Sequence, residues 1–422
     1  MSPSPAVDGG RPVVRPLWLQ TVEIDDDEAA AVTPSGELCW LTSEQELAGW
    51  GAAVRVAVGD GPGRFLRAAA ALDRHVAALD VTTATPREAR PAAFCSFTFD
   101  PRNADSVMVV PRTLVRRRGG RAWVTAISER PISADDVRLP RVAAPRGVGR
   151  VRYAGTTATE IGWIDAVDRA VRRIRAREAQ KVVLARDRMV YSDAPFDPAA
   201  LLTHLREAFP TCSTFHVAGL VGASPELLIR RDGAQVASLV LAGTTSRGRD
   251  AAHDAELGAA LLGSSKDLAE HRPAVASVRD ALEPLVERLD VDAEPHLLRL
   301  ANVQHLATGV SGTLRAPVHA LDLAGRLHPT AAVGGMPRDV ALAMITELEA
   351  IDRARYAAPV GWVDAAGDGE LAIALRCAQL MGARARLFAG AGIVADSLPE
   401  SELEETRLKL RAMQSAFEAR QQ

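Results

Sequence analysis

Apolar and polar positions along the chain follow two rhythms. Alternating runs at LWLQTVEI (17–24), AAFCSFTF (92–99) and AWVTAI (122–127) predict strands, while FLRAAAALDRHVAAL (65–79) repeats its apolar residues at helical spacing. RRRGG (116–120), lying between two β-like runs, predicts a hairpin tip and reads as a solvated turn. Pro and Gly mark a connection over 139–155. Beyond it, IGWIDAVDRAVRRIRARE (161–178) is amphipathic, with Ile161, Ile164, Val167, Val171 and Ile174 at helical spacing. KVVLARDRMV (181–190) predicts a strand, and strands then alternate with helices down to a terminal helix from about 400 to 420. Residues 1–16, rich in Pro, Gly and Ser and without periodicity, read as a disordered tail.

Long strands such as FHVAGLVGAS and GAQVASLVLAGT form hairpin-like pairs between the helices. The expected fold is therefore a mixed α/β sandwich of antiparallel-rich sheets flanked by helices, rather than a parallel βαβ series. The change of texture divides the chain into an N-terminal part of the sandwich, 17–150, and a catalytic region, 151–422. No fixed-period repeat is present.

Composition narrows the classes. The 422 residues are 47% hydrophobic and 24% charged, as in an ordinary globular protein. Fifty basic against 53 acidic residues leave a net charge of −3, so no broad cationic surface is expected for nucleic acid or anionic lipid. Four scattered cysteines (Cys39, Cys95, Cys212, Cys377) do not make a disulfide framework and read as reduced thiols of a cytoplasmic protein. No apolar stretch approaches the roughly 18 residues of a membrane span, and no extended apolar stripe is left over, so a monomer is expected.

Candidate chemistry concentrates after residue 155. In KDLAEH, if helical, Asp267, Glu270 and His271 fall on one face; in SELEETRLK the same spacing gathers Glu402, Glu405 and Lys409. Ser397-Leu-Pro-Glu400 resembles a capping signal for the second helix. Two helices presenting carboxylates to one space would repel unless a hard divalent cation lay between them, and Mg²⁺ fits. Spacing alone leaves solvated faces with ordinary i,i+4 pairs as the alternative. Gly390-Ala391-Gly392 marks a strand whose backbone approaches something closely. LAGT (241–244), Arg376 and Lys409 offer N–H groups and cations to substrate carboxylates. For Arg376 a structural salt bridge is an equal reading.

SPELL, LAGTTSRG, KDLAEH, LHPTAAVGG, GWVDAAGDGE, AGAGIV and SELEETRLK together, in this order, resemble the chorismate-utilising enzymes over about residues 155–420. That family includes isochorismate and salicylate synthases and the first components of anthranilate and aminodeoxychorismate synthases. The resemblance implies a large α/β sandwich to which the N-terminal residues add strands. It implies Glu270 and Glu405 as Mg²⁺ ligands, with Asp267 and Glu402 behind them. Arg376, Lys409, the backbone at Gly390 and Gly392, and the turn at Gly243 and Thr244 would receive the polar groups of chorismate. His305 would lie near the ring, and Glu226 would protonate the departing 4-hydroxyl.

Lys181 discriminates among family members. In isochorismate and salicylate synthases a lysine at this strand start is the base that activates water, whereas the aminating members carry glutamine and depend on an amidotransferase. The resemblance thus points to an isochorismate synthase, an isomerase needing no obligatory amidotransferase. The alternatives are a salicylate synthase, which also eliminates pyruvate, and an aminating subunit. A binder without turnover would have lost some of Lys181, Glu226, Glu270 and Glu405, and all four are present. As a base Lys181 needs burial or neighbouring cations; a surface lysine is the alternative. LHPTAAVGGMPR reads closer to isochorismate synthases than to salicylate synthases. Menaquinone and siderophore biosynthesis both stand open as the pathway.

Overall fold

A computed structural model describes residues 7–8, 11–12, 17–81 and 86–419. The tail expected over 1–16 lies outside the described residues, apart from Val7–Asp8 and Arg11–Pro12, which pair as a short antiparallel ladder.

The expected sandwich is found. Among the described residues a 13-stranded sheet faces a 10-stranded one, and pairing is antiparallel except where Leu17–Ile24 meets Leu79–Val81. Strands from before residue 150 enter both sheets. Leu38–Leu41 pairs with Ser213–Val217 in the larger sheet, and Ala92–Ser96 pairs with Pro359–Asp364 in the smaller. The strands read at LWLQTVEI, AWVTAI and KVVLARDRMV form as Leu17–Ile24, Arg121–Ser128 and Lys181–Ser192. An almost fully buried core spans the space between the sheets, with Phe94, Phe97 and Phe215 completely covered.

The hairpin tip is narrower than expected. Only Gly119 and Gly120, both with positive φ, make the turn between Thr113–Arg118 and Arg121–Ser128. Strand alternation points Arg116 inward, where it is 3% exposed and its guanidinium carbon lies 4.3 Å from the Trp362 ring centroid.

Two chain segments pass from one sheet to the other side by side. Leu220–Ser224 of the larger sheet leads through Pro225 and Glu226 to Leu227–Asp232 of the smaller. Gly369–Ile373 of the smaller leads through Arg376 to Cys377–Met381 of the larger. Ile373 N–H donates to the Glu226 carbonyl (3.1 Å), Ala223 N–H to the Arg376 carbonyl (3.2 Å) and Ser224 Oγ to the Ile373 carbonyl (2.6 Å). Gly222 permits this closeness, because a Cβ there would lie 2.7 Å from the Arg376 carbonyl oxygen. The crossing delivers an acid and a cation to the space between the layers.

Candidate active site

A recess at this crossing offers about 640 Å³ of atom-free space, its open mouth included, and Glu226, Gly243, Thr244, Glu270, His305, Arg376, Gly390, Gly392, Glu405 and Lys409 all line it. Ten residues expected from scattered segments thus meet at one place. Lys181, Asp267 and Glu402 are not among its lining residues, although Lys181 Nζ lies 2.9 Å from Oε1 of the lining Glu270.

The two acidic helices form as expected, Ser265–Leu282 and Pro399–Glu418. Ser264 caps the first by accepting from Asp267 N–H. The cap expected at Ser397 is not made: Leu398 is the N-cap, and Ser397 Oγ accepts instead from Val394 N–H (3.1 Å) at the preceding strand end. His271 also departs from expectation. One residue beyond Glu270, it is rotated about 100° around the helix and is buried on Thr308 Oγ1 (2.7 Å) and the Ala242 carbonyl (3.1 Å). It clamps the helix to the sheet.

The carboxylates share an electrostatic neighbourhood. Burial, the Glu405 charge and, more weakly, the Glu270 charge push the Glu402 carboxyl up to about 7. Burial first, and then Glu270 and Glu405, also raise Asp267. Glu270 is drawn down by Lys181 against the opposing effect of burial, with Nζ 2.9 Å from Oε1. Glu405 pairs with Lys409 at 2.5 Å, and Lys409 also donates to the Gly390 carbonyl at 2.9 Å. Among the described residues no three His, Cys, Asp or Glu side chains converge as a metal nest. Mg²⁺ does not require one, because it keeps waters and substrate oxygens beside one or two carboxylates. The donor set, with its mutually repelling acids, fits such an ion.

The same recess holds a buried cation on a hydrogen-bonded chain. Arg376, 7% exposed and at φ +46°, donates from Nη2 to His305 Nε2 (3.1 Å). His305 Nδ1–H is thereby left to donate to Thr244 Oγ1 (3.0 Å). Burial and the Arg376 charge hold the imidazole well below its ordinary pKa, so it is neutral. Arg376 makes no salt bridge among the described residues, which removes that alternative. A bulge between Ala242 and Thr244 carries Gly243 at φ +81°, and this backbone conformation calls for glycine.

Glu226, 4% exposed, lies where burial drives its carboxyl up to about 8, against the pull of Lys181, Lys409 and Arg376. At neutral pH it holds its proton, as an acid must.

A profile described as chorismate binding enzyme matches residues 30–418. The chain belongs to the chorismate-binding enzymes. It is 36% identical over 409 residues to the salicylate biosynthesis isochorismate synthase of Pseudomonas aeruginosa, covering 90% of this chain and 85% of that one. To isochorismate synthase MenF of Bacillus subtilis it is 40% identical over 259 residues, 60% of this chain and 55% of that one. Among solved structures, the menaquinone-specific isochorismate synthase MenF from Escherichia coli superposes with a TM-score of 0.79 at 25% identity, covering 95% and 94% of the two chains.

This chorismate-binding enzyme also lines its recess with residues that sequence reading passed over: Pro225, Leu375, Val183, Val333, Arg353 and Tyr356. Tyr356 is 5% exposed and stacks on Phe388 with ring centroids 5.2 Å apart. Apolar lining has the same periodicity as core, so no pattern marks it; the RAR run before Tyr356 is the one local signal.

Proposed function

We propose that the chain is an isochorismate synthase, adding water at C2 of chorismate while the 4-hydroxyl leaves. The reading is carried by Lys181, an amine rather than an amide at the start of its strand, paired with the Glu270 that lines the same recess into which Glu226 brings a protonated carboxyl. Lys181 takes the proton of the attacking water, and Glu226 gives its proton to the departing oxygen. Arg376, Lys409 and the Gly243–Thr244 turn orient the substrate's polar groups, and the neutral His305 braces Arg376. Glu270 and Glu405 would hold Mg²⁺, which when bound neutralises a substrate carboxylate and fixes the ring. A salicylate synthase performs the same first step and is the second reading; the Pseudomonas aeruginosa relative is itself named an isochorismate synthase, of salicylate biosynthesis.

Incubation of the purified chain with chorismate and Mg²⁺, with and without ammonium, tests the proposal. Isochorismate as sole product is expected. Pyruvate with salicylate moves the assignment to the second reading. An aminated ring or no turnover overturns both.

A further inference from the structure

Arg353 lines a second recess as well as the first, and the second is larger, with about 1690 Å³ of atom-free space. It opens between the start of the helix Arg64–Ala77, the segment around Phe99, the corner at His328 and the helix Arg338–Leu348.

Four arginines, Arg64, Arg102, Arg338 and Arg353, face three carboxylates, Asp100, Glu349 and Asp352. Arg102 is matched by Asp100 at 2.5 Å, and Arg353 is matched by Glu349. Arg64 and Arg338 form no close ion pair among the described residues: Arg64 feels the charge of Asp100, which is already bonded to Arg102, and the exposed Arg338 feels that of Asp339. Arg64 is 2% exposed, yet it donates only to the Thr98 carbonyl (2.7 Å), and its Nε has no partner. Arg338 donates only to the Arg326 and Leu327 carbonyls (3.3 and 3.1 Å). Both guanidiniums, together with Arg353, act on the buried His328, whose Nδ1 is likewise without a partner. Arg64 is the buried one, and a buried cation whose only carboxylate neighbour is already engaged by another arginine is costly to keep.

Beside these cations the wall is aromatic. Phe99 meets His328 edge-on at 5.6 Å and 87°, and Phe65 meets the same imidazole at 6.2 Å and 61°. Arg64 lies over the Phe65 ring at 5.0 Å and Arg353 over Phe99 at 4.1 Å, so under-compensated guanidiniums and aromatic edges share one wall and fit a ligand with an anionic head on a flat apolar body.

We propose that this second recess binds a small aromatic carboxylate, its carboxylate held by Arg64 and Arg338 and its ring packed against Phe65, Phe99 and His328. The two recesses share a wall. Arg353 donates to the Val183 carbonyl (2.6 Å) and the Val333 carbonyl (2.9 Å), and both valines line the catalytic recess.

Benzoate is the probe, titrated calorimetrically against the full chain and against three variants. Arg338→Gln removes an exposed cation, Ala343→Trp fills the second recess from an exposed helix position, and Lys409→Met alters the catalytic recess. The expected result is saturable binding to the unmodified chain, weakened about tenfold or more by Arg338→Gln. Ala343→Trp should abolish it, and Lys409→Met should leave it unchanged. Absence of binding at about 10 mM benzoate overturns the proposal. So does binding that Lys409→Met removes, or that both second-recess variants retain. Arg338→Gln decides alone should Ala343→Trp fail to fold.

Discussion

Lys181 Nζ lies 2.9 Å from Glu270 Oε1, and Gly392 on the adjacent strand leaves the room for the pair. A Cβ at residue 392 would stand 2.3 Å from that same oxygen and 2.9 Å from Lys181 Cε. The clash falls on the ends of flexible side chains, and the backbone at 392 is outside the left-handed region, so the fold can absorb a methyl group where the site cannot. Gly392→Ala should lower turnover by about 100-fold, the scale expected when reacting groups are displaced by an ångström, with a melting temperature close to the parent's. A large loss of stability, or full activity, contradicts this account.

Replacing the lysine separates base from counter-ion. Lys181→Ala should abolish water addition while chorismate still binds, because the cations that line the recess, Arg376 and Lys409, are untouched. Lys181→Arg restores a charge to face Glu270 but supplies no group that can accept a proton. If Lys181 serves only to neutralise Glu270, the arginine variant recovers activity; if it is the base, it does not. Single-turnover measurements alongside a binding titration distinguish the two.

Glu226 sets a pH limit. Its carboxyl titrates near 8 in the folded chain, above its ordinary value of 4.5, because burial disfavours the charged form. A general acid works only while protonated, so kcat should fall as pH rises through about 8. Glu226→Gln should be inactive at every pH. Linkage gives a second check. Between about 4.5 and 8 the folded state holds a proton that the unfolded chain has released, so this residue's contribution to stability declines as pH rises across that window. Urea midpoints of Glu226→Gln should accordingly gain on the parent between pH 6 and 9.

How much of this was legible in the sequence depends on how local the cause is. Strand and helix periods are local, and Leu17–Ile24, Lys181–Ser192 and Pro399–Glu418 lie within a few residues of their expected bounds. The acids at 402 and 405 and the glycines at 390 and 392 lie in short motifs, so they could be named in advance. Arg353 and Tyr356 could not, because their place comes from tertiary packing: Arg353 reaches carbonyls 20 and 170 positions away. The departure of His271 from its expected partners has the same origin, since a shared helix face permits neighbours but does not choose which side chain turns to the sheet.

Mg²⁺ should raise the melting temperature of the chain in the absence of substrate, because the charges of Glu405 and Glu270 raise the charging cost of Glu402 and Asp267 when no cation is bound. Glu405→Gln removes a proposed ligand and one of the repelling charges. It also removes the partner of Lys409, so the check is the Mg²⁺-induced shift, which should be much smaller than the parent's. A Mg²⁺-induced shift as large as the parent's would place the ion elsewhere.

Arg353 and Glu349 form a buried pair, 3% and 4% exposed, with Nε 2.9 Å from Oε2. Glu349 also accepts the Ala185 N–H at 2.7 Å, and burial raises its carboxyl's pKa. The pair thus ties the Lys181 strand, through Ala185 and Val183, to the Val333 loop across the recess. Arg353→Met leaves a buried carboxylate without its cation, which costs about 3–5 kcal/mol. Urea unfolding at pH 7 should show that loss. At pH 5 it should shrink, because a carboxyl whose pKa is already raised then takes a proton. The double variant Arg353→Met/Glu349→Gln should regain part of the stability by removing the unpaired charge, yet keep a raised KM for chorismate, since the Val183 and Val333 carbonyls still lack their donor. Equal losses in the single and double variants would show that the charge is not the source of the cost. A normal KM in the double variant would show that the recess does not depend on this tie.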